Sequence, residues 1–212
     1  MTHISQTKKH FDIIKGESDI VEKPSMLSVV RRQSNIISPP IEKPIIGNGS
    51  DMELNSSWGV WIHKNSSQDW SMTGYENIMT IKTVSDFWSF INNFNKLNYA
   101  DYQFFIMRDT ITPTWEDLKN KFGGAASIKL NVTDPCLLSL WEKICLQMVC
   151  EKLYRGNTLS TDINGASFNL KDTTTIIKIW NNDSHNDLIK KLSVESLNNK
   201  YKIIYIKNRP DH

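Results

Sequence analysis

Short strand-like and helix-like segments alternate along the chain from Trp58 onward, and this order restricts the possible folds more than any other feature. The strand-like segments are short runs rich in β-branched and aromatic residues, bounded by polar or turn-forming residues. There are six of them, at residues 58–63, 102–107, 127–130, 166–170, 174–180 and 201–206. A turn around Asp172 is expected to join the fourth run to the fifth.

A first amphipathic helix is predicted to begin just after Thr83, which has the side chain of an N-cap residue. Asp86 stands three residues later and completes a variant of the capping box. Phe87, Ile91 and Phe94 follow at helical spacing and form one apolar face. We expect this face to pack against the sheet.

Two further helices are predicted in the second half of the chain. Asp134 followed by Pro135 is a strong helix start, with the proline at the first helical position, and apolar residues continue at helical spacing to about Leu153. Ser184 is expected to cap the third helix, which would extend to roughly Leu197. Because the strands come in neighbouring groups with three helices interspersed, the sequence predicts an α+β fold with a mainly antiparallel sheet.

Residues 1–54 differ from the rest of the chain because they contain no tryptophan and no sustained hydrophobic period. They mix Ser, Pro, Ile and charged residues, a composition that buries too little apolar surface to offset the entropy of folding. We therefore predict a disordered N-terminal tail at residues 1–54 and one folded domain at residues 55–212.

Composition excludes several classes of protein. The 212 residues include 25 Lys and Arg against 23 Asp and Glu, so any nucleic-acid site must be local rather than a polybasic surface. No apolar run approaches the roughly 20 residues of a membrane helix, which predicts no membrane contact. Three cysteines without a Cys-x-x-Cys pair indicate reduced thiols and a cytoplasmic or nuclear location, without structural zinc.

Sequence patterns typical of catalysis are missing from the chain. It contains no Gly-x-Ser-x-Gly, His-Glu-x-x-His, phosphate-loop or dinucleotide-binding pattern. The five histidines are scattered, at positions 3, 10, 63, 185 and 212. We therefore predict a protein that is not an enzyme and that needs neither a metal nor a cofactor.

A tryptophan and a glutamate stand side by side in a predicted loop, as Trp115 and Glu116, between a proline turn and a glycine turn. An aromatic ring offers a stacking platform worth about 1–3 kcal/mol per base. A neighbouring carboxylate can accept two parallel N–H bonds from the N1 and N2 edge of guanine. Read alone, such a pair in a loop is more often ordinary packing beside a solvated acid than a binding site.

Six segments within about residues 54–207 match a known protein family in their order and spacing. They lie at residues 58–61, 83–88, 113–117, 120–124, 141 and 177–180. Together they resemble the translation initiation factor 4E family, the messenger-RNA cap-binding proteins. The resemblance implies a curved antiparallel sheet with three helices on its convex face. It also implies a cytoplasmic protein in translation initiation that works as a monomer within a complex.

The resemblance implies a cap site on the concave face, where 7-methylguanine lies between two aromatic rings. Trp115 matches the second ring, Glu116 the acid at the guanine edge, and Trp180 a tryptophan near the methyl group. The first ring falls on Trp70 after a one-residue shift, with Tyr75 as the alternative. Methylation at N7 gives the base a positive charge, so two rings add cation–π attraction that unmethylated guanine lacks.

The expected phosphate contacts depart from the family pattern. Lys171 stands where the family has an arginine, so the charge is kept and the bidentate fork is lost. Ile176 stands where the family has a lysine and cannot bind phosphate. Lys178 shares a strand face with Trp180 by the two-residue period and could substitute, or it could be an ordinary solvated strand residue.

A second site is implied on the helix side of the sheet. There the family binds the helix of a partner with a Tyr-x4-Leu-hydrophobic motif, either the scaffold factor 4G or a 4E-binding translational repressor. The matching residues here are Val84, Trp88, Leu146 and Val149.

The helix-side patch also departs from the family, because Glu142-Lys143 stands where Leu-Glu is usual. A lysine therefore replaces the carboxylate that would meet a basic partner residue. This leaves two outcomes open, recruitment of the initiation scaffold or repression through a different partner.

Two other classes of protein fit the sequence less well. A cap-modifying enzyme would need a metal cluster or general base, and a carbohydrate binder would leave the Trp115–Glu116 pair and the helix-side patch unexplained.

Overall fold

The computed structural model of the chain describes residues 51–185, 187–193 and 201–208. Residues 1–50 of the predicted tail lie outside this part, as do residue 186 and residues 194–197 of the predicted third helix. The first strand begins at Glu53, so the last two residues assigned to the tail belong to the folded domain.

Among the described residues, seven strands form a single sheet in which every neighbouring pair is antiparallel, in the order β2-β1-β3-β5-β6-β4-β7. The sheet is curved and open, and three helices from the same part of the chain accompany it, which confirms the predicted fold class. The strands are β1 (Glu53–Lys64), β2 (Tyr75–Thr83), β3 (Tyr102–Arg108), β4 (Gly124–Asn131), β5 (Ile163–Lys171), β6 (Thr174–Asn181) and β7 (Ile203–Lys207). The helices are α1 (Val84–Asn93), α2 (Leu137–Val149) and α3 (Leu188–Lys191).

The main core lies between the helices and one face of the sheet. The predicted apolar face of α1 is buried there, and Phe94 contacts Phe104, Trp141 and Phe168 through its ring. The predicted capping box is present, with the Thr83 side chain accepting from the Asp86 backbone N–H and the Asp86 carboxylate accepting in return. Local sequence and tertiary packing therefore agree at the start of α1.

The predicted start of α2 is two residues too early, because the helix begins at Leu137. The Asp134 carboxylate accepts from the Cys136 backbone N–H at 2.8 Å, and its carbonyl accepts from the Leu137 N–H at 3.0 Å. Both bonds close a turn that precedes the helix, so the side chain that looked like an N-cap serves an Asx turn instead. The helix ends at Val149 rather than near Leu153.

The predicted cap of the third helix is also wrong. The Ser184 backbone N–H donates to the Phe122 carbonyl at 3.0 Å, which places Ser184 in a turn. Within the described residues the helix is the single turn α3, and its Leu188 is buried in the main core. Tertiary contact, rather than a capping side chain, fixes this segment.

Strand β2 was not predicted from the sequence. It lies at one edge of the sheet and pairs with β1 alone, so most of its nine residues stay exposed or half-buried and only Ile81 is fully buried. The sequence of such an edge strand shows no clear alternation of apolar and polar residues, because neither of its faces is fully covered.

The face of the sheet opposite the helices carries a second, smaller cluster of apolar residues. Side chains alternate along a strand, so Phe104 and Ile106 of β3 join the main core while Phe105 and Met107 point to the other side. Trp61 is half-buried on this open face. Among the helices of the described residues, none has the length and apolar content needed to cross a bilayer.

Candidate functional site

The open face of the sheet contains a cavity of about 290 Å³ into which three tryptophans project. Trp70 comes from the β1–β2 loop, Trp115 from the β3–β4 loop and Trp180 from the end of β6. The other lining residues are Tyr75, Gln103, Phe105, Pro113, Ser167, Asn169, Ile176 and Lys178. The structure therefore brings together three of the four residues that the resemblance assigned to the base, and both candidates for the first ring.

The loop that carries Trp115 is fixed by two polar side chains that the sequence analysis did not single out. The Asp117 carboxylate accepts from the backbone N–H and the hydroxyl of Thr112, both at 2.8 Å. Asn120, fully buried, donates to the carbonyls of Thr112 and Thr114 at 2.9 and 2.7 Å. These bonds hold the backbone on both sides of the ring, and the position of Asn120 in the 120–124 segment was the available signal.

Glu116, the fourth residue assigned to the base, is exposed and does not line the cavity. Its carboxylate lies near enough to Tyr75 to act on it electrostatically. Burial, with a contribution from the negative charge of Glu116, raises the pKa of Tyr75 to about 12. Tyr75 therefore stays neutral at physiological pH, and a negative charge stands at the rim of the cavity.

Trp70 and Tyr75 occupy different positions around one histidine. Trp70 is 52% exposed and stacks on His63 with ring centroids 4.2 Å apart and planes 11° from parallel. Tyr75 packs against the same imidazole at 4.8 Å and meets the edge of Phe105 at 5.5 Å. The ring of Trp70 is therefore more accessible to a ligand than the ring of Tyr75.

Trp180 is held firmly in the floor of the cavity. It is 8% exposed, and its indole Nε1–H donates to the Ser167 hydroxyl at 3.1 Å. Its ring also meets Phe105 edge to face at 6.5 Å. Sequence analysis missed Phe105 and Ser167 as site residues. The unbroken apolar run at 104–107 was a usable signal, because such a run indicates a strand covered on both faces.

The two lysines assigned to phosphate line different cavities. Lys178 is half-buried in the tryptophan cavity, where burial lowers its pKa, and its Nζ lies 6.0 Å from the centroid of the Trp180 ring. Lys171 is exposed and lines an adjoining cavity of about 340 Å³, while Ile176 adds only apolar surface to the first. The two cavities share Trp70, Gln103 and Asn169.

On the helix side, Val84, Trp88 and Leu146 are half-buried and reach the surface. Val149 does not lie on this surface, since it is 2% exposed and belongs to the main core, which corrects its assignment to the patch. It faces inward because α2 turns its apolar side to the sheet. Glu142 and Lys143 are exposed on α2.

In the part of the chain that the structure describes, no three His, Cys, Asp or Glu side chains are grouped so that they could hold a metal ion. The side chains that line the tryptophan cavity supply aromatic surface and lysine charge, and Glu116 adds one carboxylate at the rim.

Comparison with known proteins finds similarity to one family. The family model described as eukaryotic initiation factor 4E matches residues 53–209, nearly the whole described part of the chain. Among individual proteins, eukaryotic translation initiation factor 4E of Aplysia californica is 33% identical over 162 residues, which cover 71% of this chain and 73% of that protein. The human protein of the same name is 31% identical over 139 residues, which cover 63% of this chain and 62% of the human one.

The same fold is found in solved structures. The complex of Ascaris suum eIF4E-3 with the m7G cap matches with a TM-score of 0.58 and 22% identity, over 66% of this chain and 81% of that one. The complex of C. elegans eIF4E-3 with the 4E-binding protein Mextli matches with a TM-score of 0.61 and 20% identity, over 76% and 95% of the two chains.

Proposed function

The chain belongs to the eukaryotic initiation factor 4E family, a family of cap-binding proteins rather than enzymes, and from this premise we propose that it binds the 7-methylguanosine 5′ cap of messenger RNA. One observation carries the proposal. Trp70, Trp115 and Trp180, which are far apart in the sequence, project into one cavity with a carboxylate at its rim. We place the protein in the cytoplasm, as a monomer within a translation complex.

In this proposal the methylated base stacks between the rings of Trp70 and Trp115. The positive charge on N7-methylguanine is attracted to the negative faces of both indoles. Trp70 suits the first ring better than Tyr75, because Tyr75 is already packed between His63 and Phe105. Trp180, fixed by its hydrogen bond to Ser167, closes the floor beside the methyl group.

Glu116 would select guanine. A carboxylate next to one stacking ring can accept N1–H and N2–H together in the plane of the base. Within the described part of the chain no hydrogen bond occupies this carboxylate, so it is free to bind a ligand. Its negative charge also complements the cationic base, since the two lie at the same end of the cavity in this pose.

The phosphates would follow a path from the tryptophan cavity to the adjoining one. Lys178 lies in the first, Lys171 in the second, and Asn169 lines both. A lysine is a compact, strongly hydrated charge, so each contact is expected to be moderate and sensitive to salt.

Lys171→Ala is expected to remove most of the affinity gained between 7-methylguanosine and its triphosphate. Binding of the bare nucleoside should not change, because the rings and Glu116 lie elsewhere. Lys171→Arg should strengthen triphosphate binding by supplying a bidentate fork. Titrations of the three chains at two salt concentrations measure this. A triphosphate advantage that survives in Lys171→Ala would transfer the phosphate role to Lys178.

Trp115→Ala is expected to cost about 1–3 kcal/mol of cap affinity, because it removes one stacking face. Calorimetric titration of the parent and the variant with 7-methyl-GDP measures the loss. Trp61→Phe is a matched control, since Trp61 lies on the same face but outside the cavity. Equal affinity of the parent and Trp115→Ala would remove Trp115 from the site.

We propose further that the surface of Val84, Trp88 and Leu146 binds a partner helix with a Tyr-x4-Leu-hydrophobic motif, either the scaffold factor 4G or a 4E-binding repressor. The support is an apolar surface beside α1 and α2, together with the protein partner in the related C. elegans complex. Lys143, exposed beside this surface, favours a partner with an acidic residue at the matching position. A cap-binding repressor with its own partner is therefore the second candidate.

Retention on immobilised 7-methyl-GTP tests cap binding in the full chain. We expect free 7-methyl-GTP to elute the protein and an equal concentration of GTP to leave it bound, since GTP lacks the charge that both rings attract. Elution by both nucleotides alike would refute the proposal.

A further inference from the structure

His63 of β1 lies directly behind the first tryptophan of the cavity. It is 1% exposed, and its imidazole stacks on Trp70 with centroids 4.2 Å apart and planes 11° from parallel. One face of the Trp70 indole is thereby covered, so a ligand can stack only on the other face. No step of the proposed function uses this histidine.

The same imidazole also holds the backbone next to Trp70. Its Nε2 lies 2.8 Å from the carbonyl oxygen of Asp69. A carbonyl only accepts, so Nε2 carries the hydrogen and donates. The other ring nitrogen, Nδ1, is buried without a hydrogen-bond partner among the described residues. His63 therefore fixes Trp70 twice, through its ring and through the preceding peptide.

The β1–β2 loop is already ordered around this contact. The Asp69 carboxylate accepts from the Ser71 hydroxyl at 2.6 Å, the Ser71 backbone N–H at 2.9 Å and the Thr73 hydroxyl at 2.7 Å. These bonds hold the pKa of Asp69 below its usual value. A Cβ at Gly74 would lie 1.9 Å from the Asp69 carbonyl oxygen, so only glycine fits there. The loop thus presents Trp70 in one place before a ligand arrives.

We propose that His63 is a positioning residue for the ligand of this cavity, because it holds the Trp70 ring in the place where a base would stack. This inference rests on the proposed function of the same site. A bound base would complete a stack of imidazole, indole and base.

Two substitutions in the full chain test the role of this ring. His63→Ala removes the stacked ring and should weaken 7-methyl-GTP binding by about 2- to 10-fold at pH 7.0, the range expected for one aromatic pair. His63→Phe restores an aromatic ring and should bind within about threefold of the parent at pH 7.0.

Rescue by His63→Phe is a result that loss of folding would not give, because it depends on an aromatic face behind Trp70. His185→Phe is the matched control, because that imidazole is 87% exposed and lies outside the cavity, and it should bind as the parent does. Thermal midpoints of all four chains, measured in parallel, identify any loss of folding.

The outcomes are distinct. If His63→Ala folds and binds as tightly as the parent, His63 does not position Trp70. If His63→Phe folds and binds no better than His63→Ala, the aromatic ring is not what positions Trp70. If His63→Ala fails to fold, His63→Leu, which fills the space without an aromatic face, replaces it in the comparison. A parent chain that prefers 7-methyl-GTP no more than GTP would instead refute the proposed function.

Discussion

Glu116→Gln is expected to lower the affinity of the full chain for 7-methyl-GTP by roughly 10- to 150-fold, with the fold unchanged. The variant keeps the size of the side chain but replaces an acceptor with an amide that donates, and this amide would face a guanine N–H. Hydrogen bonds to a charged group contribute about 1.5–3 kcal/mol, which corresponds to that range of affinity. Because Glu116 is exposed and outside the core, stability should not fall with it.

Glu142→Gln serves as the matched control for this prediction. Glu142 is an exposed glutamate on α2, on the helix side of the sheet, so its substitution changes the net charge equally without touching the cavity. Calorimetric titration and circular dichroism of both variants make the comparison. Normal cap affinity in Glu116→Gln would mean that this carboxylate does not meet the base.

Trp88→Ala is expected to weaken binding of a Tyr-x4-Leu-hydrophobic peptide by roughly 30-fold or more. Aromatic anchors at helix-in-groove interfaces often contribute 2 kcal/mol or more. Trp88 is half-buried on α1, one helical turn after Val84, and its ring meets Phe87 edge to face at 5.2 Å. Fluorescence anisotropy of a labelled peptide measures the loss.

The same variant should keep its affinity for 7-methyl-GTP, because the cavity lies on the opposite face of the sheet. This double measurement separates a partner-binding residue from a core residue. Simultaneous loss of peptide binding, cap binding and thermal stability would assign Trp88 to the core. Trp88→Phe, which keeps part of the packing against Phe87, then measures how much of the loss is structural.

Sequence alone predicted the fold class and most elements, because their signals are local. The capping box at Thr83 and the apolar runs that became β3, β5 and β6 need no tertiary information. The errors occurred where long-range contacts decide. The side chain of Asp134, which resembles a helix cap, closes a turn instead, and the backbone of Ser184 bonds to the distant Phe122. Strand β2 is ordered by its pairing with β1.

The candidate site likewise contains residues that the sequence indicates and residues whose position only the structure reveals. Trp115 and Glu116 are adjacent and belong to a recognisable segment, so the sequence indicates them without a structure. The β1–β2 loop carries no comparable motif, and only the three-dimensional contacts show that His63 supports Trp70. The position of Lys171 in an adjoining cavity likewise depends on how the end of β5 lies beside that loop. The roles of these residues remain predictions.

Titration of the full chain with 7-methyl-GTP and with GTP, followed by tryptophan fluorescence, compares two ligands that differ by one methyl group and one positive charge. If the base stacks between Trp70 and Trp115, 7-methyl-GTP should quench the fluorescence and bind roughly tenfold or more tightly than GTP, because both rings gain cation–π attraction. Equal affinity and equal quenching for the two nucleotides would contradict charge-assisted stacking in this cavity.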